Sequence, residues 1–166
     1  MKNLRELVFT ALLVAMALGV SLIENMIPLP ITVPGAKLGL SNMIILVTLI
    51  IFNFKRGFQV ALLKSVLLML VTGFGPSFLY SFAGAILSSI TMGLALRYAK
   101  KYFSIIGISI IGAVSHNLAQ IIVASYVLGS AMVFTYFPFL TFVAIVTGYF
   151  VGLGAYQVSS HLKKII

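Results

Sequence analysis

The chain has 166 residues, 61% of them hydrophobic, with eleven Lys and Arg against two acidic residues and a formal net charge of +9. Charged residues make up 8% of it, where a soluble domain carries about 25%, so a soluble fold is excluded. There is no Cys and no Asp, and the two acids are Glu6 and Glu24; disulfides, thiolate metal sites and thiol nucleophiles are excluded together.

At about 20 residues per spanning helix, the chain holds six spans and little else. The apolar runs fall at 7–27, 38–53, 58–73, 78–96, 104–128 and 135–158. Between them lie breaker-rich or charged separators: PLPITVPGAK at 28–37, FKRG at 54–57, GFGPS at 73–77, RYAKKYF at 97–103 and LGSAMVF at 128–134. Each run is expected to be helical, because hydrocarbon offers the backbone no hydrogen-bonding partner. A barrel would need alternating strands, and runs such as MIILVTLIIF do not alternate. Spans two and three are short and must sit upright or end among the headgroups. The expected fold is a single all-α integral membrane domain of six transmembrane helices.

Orientation follows from the bases. With the N-terminus in the cytoplasm, Lys2, Arg5, Lys55, Arg56, Arg97, Lys100, Lys101, Lys163 and Lys164 fall on the inner side, Lys37 alone falls outside, and Lys64 lies within span three. That asymmetry predicts both termini inside the cell membrane and accounts for the net charge without a nucleic acid. Lys2, Arg5 and the Ala15-Met16-Ala17 triplet imitate a signal peptide, but cleavage would destroy the even span count, so the segment is read as a retained first helix.

Polar residues inside spans mark function. In span five Ser109, Gly112, Ala113, His116, Asn117, Gln120 and Ala124 share an arc of about 140°, and His116, Asn117 and Gln120 are expected to line an internal cavity; the alternative is interhelical hydrogen bonding. Lys64 either snorkels to the cytoplasm or contacts a buried anion. Glu24, at the end of span one, pairs with Lys37 or meets a ligand. The loop 28–37, stiffened by Pro28, Pro30 and Pro34, has the character of a lid, and Ser41 and Asn42 extend its polar zone. Lys37, Lys64 and His116 together favour an anionic ligand, and the aromatic residues near the outer ends suit a flat or hydrophobic body. Span one also carries Ala11, Ala15 and Gly19 at four-residue spacing, a seam that lets another helix approach closely.

The missing aspartates exclude the carboxylate-held Mg²⁺ chemistry of prenyl-diphosphate enzymes. No P-loop pattern is present for ATP, and two His without Cys disfavour zinc. No enzyme activity, cofactor or metal is expected. The lack of an internal repeat and of acids within the spans weighs against an autonomous secondary carrier.

The segments PGAKLGLSN at 34–42 and SHNLAQ at 115–120 resemble the small membrane family called heptaprenyl diphosphate synthase component I-like, also labelled Gx transporter. Over nearly the whole chain, that family is similar in size and span count to the substrate-binding S components of energy-coupling-factor transporters. The resemblance implies an S-component-like bundle with a ligand site open to the outside. It also implies partnership with a transmembrane coupling subunit driven by two cytoplasmic ATPases. Ala11 and Ala15 match the Ala-xxx-Ala coupling motif of those proteins by position, and Gly19 extends it. Ligand residues do not carry over, so Glu24, Lys37, Asn42, Lys64, His116, Asn117 and Gln120 rest on the reading of the residues alone. The expected function is capture of a small anionic, aromatic or isoprenoid-related micronutrient for uptake. The alternative is a non-catalytic scaffold for isoprenoid-quinone synthesis or membrane electron transfer.

Overall fold

A computed structural model describes residues 2–27 and 38–164. Six α-helices follow in order: α1 (Lys2–Met26), α2 (Asn42–Ile51), α3 (Phe54–Thr72), α4 (Pro76–Leu94), α5 (Ile105–Leu128) and α6 (Phe137–Leu162), with no strand among the described residues. A π-helical turn at Ala95–Ala99 prolongs α4, and a 3₁₀ segment at Ala131–Tyr136 leads into α6.

The helix ends are written locally. Asn53 caps α3 by accepting the Arg56 N–H at 2.9 Å, and Ser104 caps α5 through Gly107. Gly73, at φ +84°, ends α3, and Pro76 then opens α4. Gly129, at φ +62°, closes α5. The Ser130 N–H there reaches the Ser125 carbonyl and the Gly129 N–H the Tyr126 carbonyl, which satisfies two carbonyls that the helix end leaves open.

Four segments are long and apolar enough to cross a membrane: Glu6–Met26, Phe78–Ala99, Ile105–Leu128 and Ala131–Leu162. α3 has the length but carries Lys55, Arg56 and Lys64. The second expected span, 38–53, is helical only over Asn42–Ile51. Ten residues rise about 15 Å, half the hydrocarbon thickness. The reason lies at its start, where Gly39 takes φ +73° and the Asn42 N–H bonds back to the Gly39 carbonyl at 2.9 Å, turning the chain before the helix begins.

α2 is apolar all round because it is buried all round. Asn42 and Ile44 to Leu49 are buried, and α2 packs against all five other helices. α1 lies at the edge, mainly against α3 and α2; its inner stripe is Val14, Ala17, Ser21 and Glu24, while Leu4, Leu7, Leu12 and Met16 face outward. The tightest seam joins α5 and α6. There a Cβ on Gly148 would stand 2.9 Å from the Ile110 Cα, and one on Gly152 2.7 Å from the Ile106 Cα. Two glycines four residues apart let the backbones meet.

Candidate functional site

The half-length of α2 determines what the interior contains. α2 and α3 run antiparallel from the bend at Asn53, and ten residues along α3 place Lys64 level with the start of α2. The Lys64 Nζ donates to the Ser41 hydroxyl at 3.1 Å, and the residue is 1% exposed. Lys64 therefore does not snorkel to the bundle end.

The same turn receives a side chain from each of three further helices. On α1, the Glu24 carboxylate accepts the Gly39 N–H, and Glu24 is 7% exposed. From α4, Ser88 donates its hydroxyl to the Asn42 Oδ1 at 3.4 Å. On α5, the His116 ring lies where a Cβ on Gly39 would be 3.9 Å from its Cδ2. Residues 39–42 are thus a hub between α1, α3, α4 and α5. Among the described residues its buried acid, Glu24, and its buried base, Lys64, are opposite in charge. Unoffset burial of either would cost several kcal/mol.

His116 is fixed from two further sides. Gln120, one turn along α5, places its Nε2 at 3.1 Å from the His116 Nε2. Across the interface Gly84 on α4 leaves room for the ring, since a Cβ there would approach Cε1 to 2.5 Å. Asn117 turns elsewhere, donating its Nδ2 to the Leu140 carbonyl of α6 at 3.0 Å. For this member of the trio the interhelical bond is the arrangement found. Several buried polar atoms have no hydrogen-bond partner among the described residues, Asn42 Nδ2, Gln120 Oε1, Ser109 Oγ and Ser21 Oγ included; each atom so left costs about 1–3 kcal/mol.

Of the residues singled out in the sequence, Glu24, Asn42, Lys64, His116 and Gln120 gather at or beside this turn. Lys37 and the loop 28–37 lie outside the described residues. Sequence reasoning did not single out Gly39, Gly84 or Ser88. Gly39 stands inside PGAKLGLSN, where a positive φ is its signature; Gly84 and Ser88 sit in SFAGAILSS at 81–89, where six of nine residues are small.

The small-residue seam of α1 faces outward. Ala11 and Ala15 are exposed and Gly19 half-exposed, and a Cβ on Gly19 would meet nothing within 4 Å. Ala11 borders a groove of about 370 Å³ between α1 and α3, lined also by Leu7, Thr10, Gln59 and Leu63. At its end Arg56 pairs with Glu6 at 2.8 Å.

Long apolar helices around a buried polar centre define an all-helical membrane protein. Residues 13–158 match the model of the family described as heptaprenyl diphosphate synthase component I, the Gx transporter family, and the chain belongs to that family. No curated protein and no solved structure matches the chain.

Proposed function

We propose that the chain is the substrate-binding membrane subunit of an energy-coupled uptake transporter and is not an enzyme. The observation that carries this reading is the hub at residues 39–42. A half-length helix starts inside the bundle, polar side chains from four helices converge on that start, and among the described residues the Asn42 Nδ2 there has no hydrogen-bond partner. Broken helices that end at mid-depth are a recurrent way to build a small-molecule site within a bilayer. Interhelical adhesion alone would be served by satisfied pairs such as Asn117 with Leu140.

In this reading the chain crosses the cell membrane six times with both termini in the cytoplasm, and α2 with the loop before it makes the second crossing. The loop 28–37, with Lys37, closes over the ligand from outside. Glu24, Asn42, Lys64, His116 and Gln120 form the site, and Asn117 holds α6 against it. The exposed seam of Ala11, Ala15 and Gly19 meets a transmembrane coupling subunit, which two cytoplasmic ATPases drive.

The test is affinity purification of the tagged protein from its host membranes with mass spectrometry of the accompanying proteins. A transmembrane coupling subunit with two ATPases is the expected result. Recovery of a prenyl synthase or redox partner without ATPases would replace this reading with a non-catalytic scaffold for isoprenoid-quinone synthesis, which the family's description favours.

A further inference from the structure

At the end of the bundle where α2 stops, the last turn of α2, the first residue of α3 and the end of α4 enclose a crevice of about 240 Å³. Its walls are Leu49, Phe54, Gly93 and Leu96, and the exposed Arg97 completes them. Two features shape it. A Cβ on Gly93 would collide with the Phe54 ring, so glycine lets that ring, stacked on Phe58 at 5.9 Å, lie against α4. Directly afterwards the helix widens into the π-turn Ala95–Ala99, which carries both Leu96 and Arg97; turns of this kind recur at functional sites.

Arg97 has no acid to pair with. The chain has two acidic side chains: Glu6 is bonded to Arg56 at 2.8 Å, and Glu24 is buried on the Gly39 N–H. The Arg97 guanidinium lies 5.3 Å from the Tyr98 ring centroid, a cation–π contact that brings no oxygen to its N–H donors. Around it Lys55, following Phe54, and Lys100 and Lys101, following the π-turn, are exposed.

Location decides what fills the crevice. Arg97 lies at the close of the apolar segment Phe78–Ala99, where hydrocarbon gives way to headgroups. An apolar hollow there is bathed in lipid, and left open it would forfeit the dispersion contacts of its lining. Bases in loops alone are served by the mean negative potential of a membrane surface. A guanidinium beside an apolar slot suits one molecule that carries both a phosphate and a chain. The groove between α1 and α3 is larger, at about 370 Å³, but its base, Arg56, already has Glu6.

We infer that the crevice binds a single anionic phospholipid. Its phosphate oxygens accept from the Arg97 guanidinium, and an acyl chain lies against Leu49, Phe54 and Leu96. Lys55, Lys100 and Lys101 favour a headgroup of net negative charge. The site stands apart from the polar centre at residues 39–42 and does not depend on the uptake reading.

The experiment uses the full chain, stripped of lipid in mild detergent. Phosphatidylglycerol, phosphatidylcholine and glycerol phosphate are titrated separately, and bound molecules are counted by native mass spectrometry. Expected is a single retained phosphatidylglycerol per chain, bound at least about tenfold more tightly than phosphatidylcholine, with glycerol phosphate not retained. Arg97→Gln should weaken phosphatidylglycerol binding at least about fivefold. Lys164→Gln removes the same charge from an exposed residue outside the crevice and should change that affinity less than about twofold. Both residues are exposed, so neither change disturbs the packing. Equal losses in the two variants would mean diffuse attraction and overturn the site, as would equal affinity for the two lipids or retention of neither. Glycerol phosphate held as tightly as the lipid would overturn the lipid occupant in favour of a plain phosphate site.

Discussion

Gly84 on α4 and His116 on α5 are in register, so that a methyl group at position 84 would stand 2.5 Å from the imidazole Cε1 and 2.7 Å from both ring nitrogens. The ring is enclosed at 2% exposure. Gly84→Ala should therefore displace His116 and, with it, the bond to Gln120. Overpacking of this kind costs about 1–3 kcal/mol, and loss of ligand affinity should accompany it. In a His116→Ala background the same glycine substitution should cost far less, because the clashing ring is gone. Thermal unfolding of the four proteins of this cycle checks the coupling; additive effects would mean that the two residues do not meet.

Glu24 and Lys64 are 40 positions apart in sequence, yet both are bound by the turn before α2. Removing one leaves the other charge buried without its offset, which costs about 3–5 kcal/mol. Glu24→Gln and Lys64→Met should each lower the melting temperature and membrane abundance sharply. The double variant should recover much of the loss, since it leaves no net charge inside. Melting curves in one detergent compare the three variants, and a double variant as unstable as the sum of the singles would contradict the charge balance.

What the sequence made legible follows from which forces are local. The starts and ends of α3 to α6 are marked by Asn53, Gly73, Pro76, Ser104 and Gly129, each acting on its own backbone, and hydropathy located them to within a few residues. The shortness of α2 was hidden, because an apolar run reads alike whether it faces lipid or is enclosed by other helices; only the fold distinguishes the two. On α5, the shared face of His116 and Gln120 was readable from helical periodicity. Asn117, at the edge of that arc, reaches α6 instead. That Glu24 and Lys64 bind the same turn was not readable, since the turn at Gly39 and Ser41 belongs to neither residue's own helix. The pairing of Glu24 with Lys37 falls outside the described residues.

The glycines of α6 and of α1 should respond in opposite ways to the same change. Gly152→Ala places a methyl group 2.7 Å from the Ile106 Cα, backbone that cannot rotate away, and Gly148→Ala does so at 2.9 Å from the Ile110 Cα. Each should destabilise by about 1–3 kcal/mol through separation of α5 and α6. Gly19→Ala meets nothing within 4 Å and exchanges a helix-breaking residue for the best helix former, so stability should hold or rise by up to about 1 kcal/mol. Unfolding of the three variants in detergent gives the comparison. Equal effects at positions 19 and 152 would show that the α5–α6 seam does not set the cost.

The seam on α1 separates capture from transport. Ala15 is exposed, so a bulky side chain there disturbs no internal packing. What it blocks is the close approach of a second helix, which small residues at four-residue spacing permit. Ala15→Trp should leave membrane abundance and ligand affinity near wild type while whole-cell uptake falls at least about tenfold, and purification from host membranes should no longer recover the coupling subunit. Met16→Trp, on the neighbouring exposed position and outside the small-residue seam, serves as the control and should keep uptake. Joint loss of affinity and uptake in Ala15→Trp would point to misfolding. Unimpaired uptake would place the coupling surface elsewhere, with the groove between α1 and α3 at Thr10, Gln59 and Leu63 as the next face to test.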